Sequence, residues 1–98
     1  MRLWFNKTFS GIHAAITLLK QGDPAQRFSV LCTHTTPGFP GFLAADEWAL
    51  EPAGLSGEAY VDWCLEFARQ QRVEAFLPAK EAERLATHAA RFAAIGTR

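Results

Sequence analysis

Three short polar clusters carry the side chains best suited to chemistry: Asn6-Lys7-Thr8, Thr33-His34-Thr35 and Pro78-Ala79-Lys80-Glu81. Each follows a compact apolar run, and two of them precede the start of a helical pattern. Free N–H groups at a helix N-terminus favour an anion. Lys7 and Lys80 would add positive charge for a carboxylate or phosphate. Asn6, Lys7, His34, Lys80 and Glu81 are therefore the candidate residues for a small anionic substrate. The plain alternative is that these are the solvated loops any α/β domain possesses.

No catalytic constellation accompanies them. His34 has no carboxylate partner in sequence, which favours a hydrogen-bonded loop histidine over an acid or base. His13 and His88 lie among polar neighbours on helical stretches. No His pair has metalloprotease spacing and no Cys/His cluster suits a metal. Residues 6 to 11 hold a single glycine, so neither a dinucleotide fingerprint nor a phosphate loop is present. The chain itself is expected to bind no cofactor. Cys32 and Cys64 are too few and too isolated for a disulfide framework, and both read as buried structural thiols.

The elements that must position these clusters are legible in the apolar periodicity. Leu3-Trp4-Phe5 has no polar alternation, as in a strand buried on both faces of a parallel sheet. Ser10 stands at a cap position before a helix over residues 11–21, with Gly22 at its C-terminal stop. Phe28 to Cys32 is a second strand, parallel to the first through a right-handed helical crossover. Residues 36–42 form a Pro/Gly-rich loop carrying Phe39 and Phe42. Glu47 to Leu50 is a short edge strand closed by Glu51-Pro52. Ser56 caps a helix over residues 57–71, whose inner face is Tyr60, Val61, Cys64, Leu65 and Ala68. Val73 to Leu77 is the fourth strand, and residues 80–94 form the last helix, striped by Leu85, Ala89 and Phe92. The predicted fold is a Rossmann-like doubly wound α/β domain over residues 1–98. Its sheet has order 3-2-1-4, with helices on both faces.

Bulk composition narrows the classes. The 98 residues are 49 % hydrophobic, with eight Phe and three Trp, enough for one core and against disorder. Ten basic and ten acidic residues give a formal net charge of zero. That offers no electrostatic case for nucleic acid or an anionic membrane, and little repulsion against self-association. No apolar run reaches the roughly 20 residues of a membrane span. The start is not a signal peptide, and the two isolated, buried thiols make the cytoplasm the expected location.

The run Ala45-Asp46-Glu47-Trp48-Ala49-Leu50-Glu51-Pro52 resembles the A-D-x-x-x-x-E-P segment of the pre-ATP-grasp domain of carbamoyl-phosphate-synthetase-like ATP-grasp ligases. A helix and a proline-ended strand follow it, as in that family. Phe92-Ala93-Ala94-Ile95-Gly96 resembles the helix from which the chain passes on into the ATP-grasp module. The resemblance implies an N-terminal domain that packs on that module and helps bind the acceptor substrate. The ligase would use ATP and magnesium to activate a carboxylate as an acyl phosphate, then join it to an amine. The lysines and acids holding nucleotide and metal would belong to the module, leaving this domain inactive alone. The competing expectation is a stand-alone Rossmann-like binding or interaction module. A receiver domain needs acids after its first strand, where Asn6-Lys7 stand. Phe39 to Phe42 and Trp48 are the expected contact surface of a two-fold dimer, against a monomer whose Phe side chains fold back onto its core.

Overall fold

The fold is described from a computed structural model, over residues 1–6, 17, 18, 20–22, 28–35 and 45–98. Strand β1 (Arg2–Asn6) lies between β2 (Ser29–His34) and β4 (Ala75–Leu77), and β3 (Glu47–Leu50) flanks β2. All neighbours are parallel, in the order 3-2-1-4 predicted from sequence. Trp4 is in register with Leu31 and Phe76, and Phe5 with Cys32 and Leu77. Side chains alternate between faces along a strand. Leu3, Val30 and Cys32 on one face, and Trp4 and Leu31 on the other, are all buried. That is the two-sided burial implied by their unbroken apolar character. Residues 17, 18, 20 and 21 are helical, and Gly22 N–H closes on Leu18 O at 3.1 Å. Ser10, most of the first predicted helix and the Pro/Gly-rich loop lie outside the described residues.

Helix α1 (Gly57–Gln71) presents Tyr60, Val61, Cys64 and Ala68 to the sheet as its periodicity requires. These pack on Trp4, Leu31, Val73, Leu85 and Phe92 to form the core. Trp4 is its centre, stacked on Phe76 at 3.9 Å between ring centroids and tilted against Phe67 at 4.8 Å. Trp63 meets the same indole edge-on at 6.0 Å, an arrangement that adds to simple area burial.

Two expectations are corrected. Ser56 occupies the N-cap position of α1 but makes no side-chain cap. The carboxylate of Glu81 does so instead, accepting the Gly57 N–H at 3.1 and 3.2 Å from the turn after β4. A carboxylate is the better acceptor here, because the helix dipole adds to the hydrogen bond. The last predicted helix is two: α2 (Ala82–Ala86) and α3 (Ala89–Ala94). Thr87 Oγ1 donates to Arg84 O at 2.7 Å and His88 N–H to Leu85 O at 3.0 Å. Such a local side-chain bond competes with the helical ladder and ends it. The helix also starts later than predicted, because Asn6 holds the backbone N–H groups of Ala79 and Lys80.

Helix α1 ends at Arg72, whose φ of 54° is left-handed, with Val73 N–H returning to Ala68 O at 3.0 Å. A glycine normally fills this position, and a Cβ there is strained. Arg72→Gly is expected to stabilise the fold by about 1 kcal/mol, seen as a higher urea midpoint at unchanged slope. A lower midpoint would show that the arginine side chain contributes more than the backbone strain removes.

Candidate functional site

The C-terminal ends of the strands meet in one buried polar ring. Trp4 Nε1 donates to Thr33 Oγ1 at 2.9 Å, and that hydroxyl donates to Glu51 Oε2 at 2.7 Å. Glu51 Oε1 faces Lys80 Nζ at 3.4 Å, and the ammonium lies 4.4 Å from the centroid of the Tyr60 ring. Asn6 Nδ2 donates to Tyr60 Oη at 2.9 Å and to Lys80 O at 3.1 Å. Asn6 Oδ1 accepts from Ala79 N–H at 2.7 Å and Lys80 N–H at 3.1 Å. Every strand end thus contributes a member, and α1 supplies Tyr60. The position of each follows from local structure: Asn6 and Thr33 are in register as the last inward residues of their strands. Glu51 follows β3 directly, its N–H held by His34 O at 2.9 Å.

The structure brings only part of the predicted rim together. Asn6 and Lys80 are joined, but Asn6 is fully buried and all four of its polar valences are used. Lys80 keeps about a fifth of its side chain in solvent, 21 %, beside a Glu51 side chain with none. Glu81 turns to the N-terminus of α1 and also faces Arg84 Nε at 3.3 Å. His34 is buried in register with Leu50, one residue beyond Thr33 and so on the opposite face of the sheet. Lys7 lies outside the described residues. An open concavity of about 600 Å³ lies beside Glu81 rather than over Lys80. It is lined by Glu58, Glu81, Ala82, Glu83, Arg84 and Thr87.

Glu51 is the charged member that site reasoning from sequence did not select. Its signal was present in the Glu51-Pro52 closure of a sheet strand, where a charge just past a strand end must find a partner if it is covered. Asp46, at the other end of the same segment, accepts Val30 N–H at 2.8 Å and binds Lys20 Nζ at 2.8 Å. Desolvation pushes the Asp46 carboxyl up, but the hydrogen bonds from Lys20 and Val30 outweigh it and hold it below its ordinary value. Asp46 and Glu51 of the Ala45–Pro52 segment therefore fix opposite ends of β3.

The titrating groups nearest the ring are held in their neutral forms. Burial pushes the Cys32 thiol up to about 11, with Glu51 adding to it. Burial raises Cys64 to about 12 against a hydrogen bond with Tyr60. Tyr60 itself is raised, by burial first and then by Cys64 and Glu51. None offers a nucleophile or base at neutral pH, so the arrangement is suited to binding and support. Among the described residues no group of three His, Cys, Asp or Glu could hold a metal ion, and the chain has no glycine-rich phosphate loop. No helix among the described residues is long and apolar enough to cross a membrane. No protein-family model matches the chain, and no curated protein does.

Two outcomes follow from the ring. Glu51→Ala leaves Thr33 without its acceptor and Lys80 without its carboxylate, and is expected to cost about 3 kcal/mol, the low end for a buried pair because Lys80 reaches solvent. Glu51→Gln keeps the acceptor and should cost about 1 kcal/mol. Equal losses in chemical denaturation would show that the charge carries the interaction and that the retained hydrogen-bond acceptor adds nothing. The two thiols should resist alkylation at pH 8 in the native state and react in urea. Their folded values lie above the ordinary 9.0, so the stability they carry is complete below pH 9 and falls as pH rises toward 11 and 12. A denaturation midpoint flat from pH 8 to 11, in a chain whose thiols are unmodified, would contradict this.

Proposed function

We propose that this chain is the substrate-side domain of an ATP-dependent carboxylate–amine ligase of the ATP-grasp superfamily, a domain that binds and positions rather than catalyses. The observation that carries the reading is the placement of the A-D-x-x-x-x-E-P segment. Its aspartate ties β3 to the start of β2, and its glutamate joins Lys80 where the strands end. Ligands of open α/β sheets sit at that end of the strands. The parallel 3-2-1-4 sheet is what such a domain requires. Lys80 is the residue we assign to a small anionic substrate, with Asn6 shaping the backbone around it. Glu81 supports the same turn by capping α1. Lys7 and His34 were expected at the same rim; His34 is buried on the opposite face of the sheet, and Lys7 lies outside the described residues. ATP and magnesium would be held by the ATP-grasp module, whose packing partner this domain is, and a cytoplasmic setting agrees with such a ligase.

A second reading, an interaction module that forms a homodimer, draws on the exposure of Trp48 (54 %) and Leu50 (46 %) on β3. One experiment separates the two. Amide chemical shifts of the chain are followed during titration with acetate, glycine and glutamate, then with ATP and magnesium. The ligase reading expects millimolar carboxylates to move the amides of residues 79–81, and Lys80→Ala to abolish this, while ATP leaves them in place. Micromolar binding of ATP, or carboxylate shifts that survive Lys80→Ala, would overturn it. Shifts that instead follow protein concentration and map to residues 47–50 would favour the dimer.

A further inference from the structure

The turn that carries Lys80 has its backbone donors filled from within the chain. The N–H groups of Ala79 and Lys80 converge on Asn6 Oδ1 at 2.7 and 3.1 Å. Glu81 follows at a left-handed φ of 52°, and its carboxylate takes the Gly57 N–H at 3.1 Å. Neighbouring N–H groups turned to one point, beside the first N–H of a helix, are what proteins use to hold phosphate. Here Asn6 and Glu81 supply the oxygens instead. The start of α1 is for the same reason no site of its own, because a carboxylate of the chain already occupies it.

The charges of the turn are matched in the same way. Lys80 faces Glu51 at 3.4 Å, and Arg84 faces Glu81 at 3.3 Å and Glu58 at 3.5 Å. Behind burial, which dominates, Lys80 lowers and Glu81 raises the Cys64 thiol, so both stand near it. An anion that reaches Lys80 therefore also meets the field of Glu81. A lysine ammonium with part of its side chain in solvent can hold a carboxylate, with water completing the shell. A phosphate dianion needs more donors than that. At equal distance it also feels twice the repulsion from Glu81 that a carboxylate feels.

We infer that the site at Lys80 selects a carboxylate against a phosphate, and that Glu81 is the specificity-determining residue. Asn6 withholds the backbone donors of the turn, and Glu81 supplies the repulsion. This rests on the binding role assigned to Lys80 above and narrows its ligand to a carboxylic acid that carries no phosphoryl group.

The test follows the amide shifts of residues 79–81 during titration with acetate and, separately, with inorganic phosphate at pH 8 and constant ionic strength. It uses the 98-residue chain and its Glu81→Gln and Glu81→Asp variants. The unaltered chain is expected to take acetate about tenfold more tightly than phosphate. Glu81→Gln keeps an oxygen for Gly57 and drops the charge, and should bring that ratio to about threefold or below. Glu81→Asp keeps the charge on a side chain one methylene shorter, and should hold the ratio near its original value. A merely structural cap expects the reverse order, because glutamine preserves the bond to Gly57 better than aspartate does. Phosphate bound as tightly as acetate overturns the selectivity and leaves the binding role of Lys80 standing. Acetate that moves none of these amides overturns both. A ratio unmoved by Glu81→Gln removes Glu81 as its cause and overturns the proposal as well.

Discussion

A carboxylate with no solvent exposure sits where the strands of this domain end, and much of the polar architecture follows from it. Removing an ion from water costs several kcal/mol unless its lone pairs are satisfied and an opposite charge is near. Glu51 is satisfied from two directions, by the Thr33 hydroxyl and the Lys80 ammonium. Each partner is in turn constrained. Thr33 must also accept the Trp4 indole N–H, which locks the largest core side chain to the second strand. Lys80 must reach inward over Tyr60, and this is possible only because Asn6 grips the backbone on either side of it. Buried networks of this kind stabilise only when complete, and the same low dielectric makes any gap costly. The ring therefore acts less as a source of stability than as a condition on register: a one-residue slip of β2 would carry Thr33 to the other face.

The opposite surface of α1 is joined to the last two helices by different means. Glu58 and Asp62 face His88, Arg84 and Arg91, with Glu58 to His88 at 3.0 Å and Asp62 to Arg91 at 3.3 Å. Most of these side chains are half exposed, and pairs of that kind contribute little individually. Their spacing matters more than their energy. Acids one helical turn apart on α1 meet bases spaced along α2 and α3, so the two surfaces are complementary in charge. Apolar contacts of Leu85 and Phe92 with the core provide the attraction, and the charges select the alignment.

How much of this was legible depended on whether the determining interaction was local. Leu3 to Phe5, Val30 to Cys32 and the α1 periodicity each state their burial directly, and the strand order follows from two-faced apolar strands beside one weak edge. Thr87 broke the last helix by a bond to its own preceding turn, a competition that apolar spacing at Leu85, Ala89 and Phe92 does not register. Glu81 displaced Ser56 as the cap of α1 from 24 residues away, which no window of sequence contains. The rim was found in outline because strand ends are predictable. Its internal pairing was not, since Asn6 and His34 differ only in which face of the sheet their position reaches. Glu51 was visible as the end of a strand and invisible as the partner of Lys80.

The two ends of the sheet are built differently, and this bears on where function can reside. At the N-terminal end, Arg2 binds Glu47 Oε2 at 2.7 Å and Gln71 O at 2.7 Å, joining β1, β3 and α1. Arg2 also draws the Glu47 carboxyl below its ordinary value, through the hydrogen bond first and charge second. Lys20 and Asp46 complete that end. Each cation there is matched by an acid within a hydrogen bond, near solvent, in arrangements that need only hold strands together. At the C-terminal end, among the described residues, Lys80 keeps about a fifth of its side chain in solvent, 21 %, with its acid fully buried behind it. A buried counter-ion fixes the ammonium in place without competing for the exposed side. Under the proposed function, a ligand carboxylate approaching Lys80 would meet a preset donor and would not have to order a free lysine, which would lower the entropic cost of binding. The same counter-ion offsets the long-range field, so selectivity there would rest on hydrogen-bond geometry more than on charge.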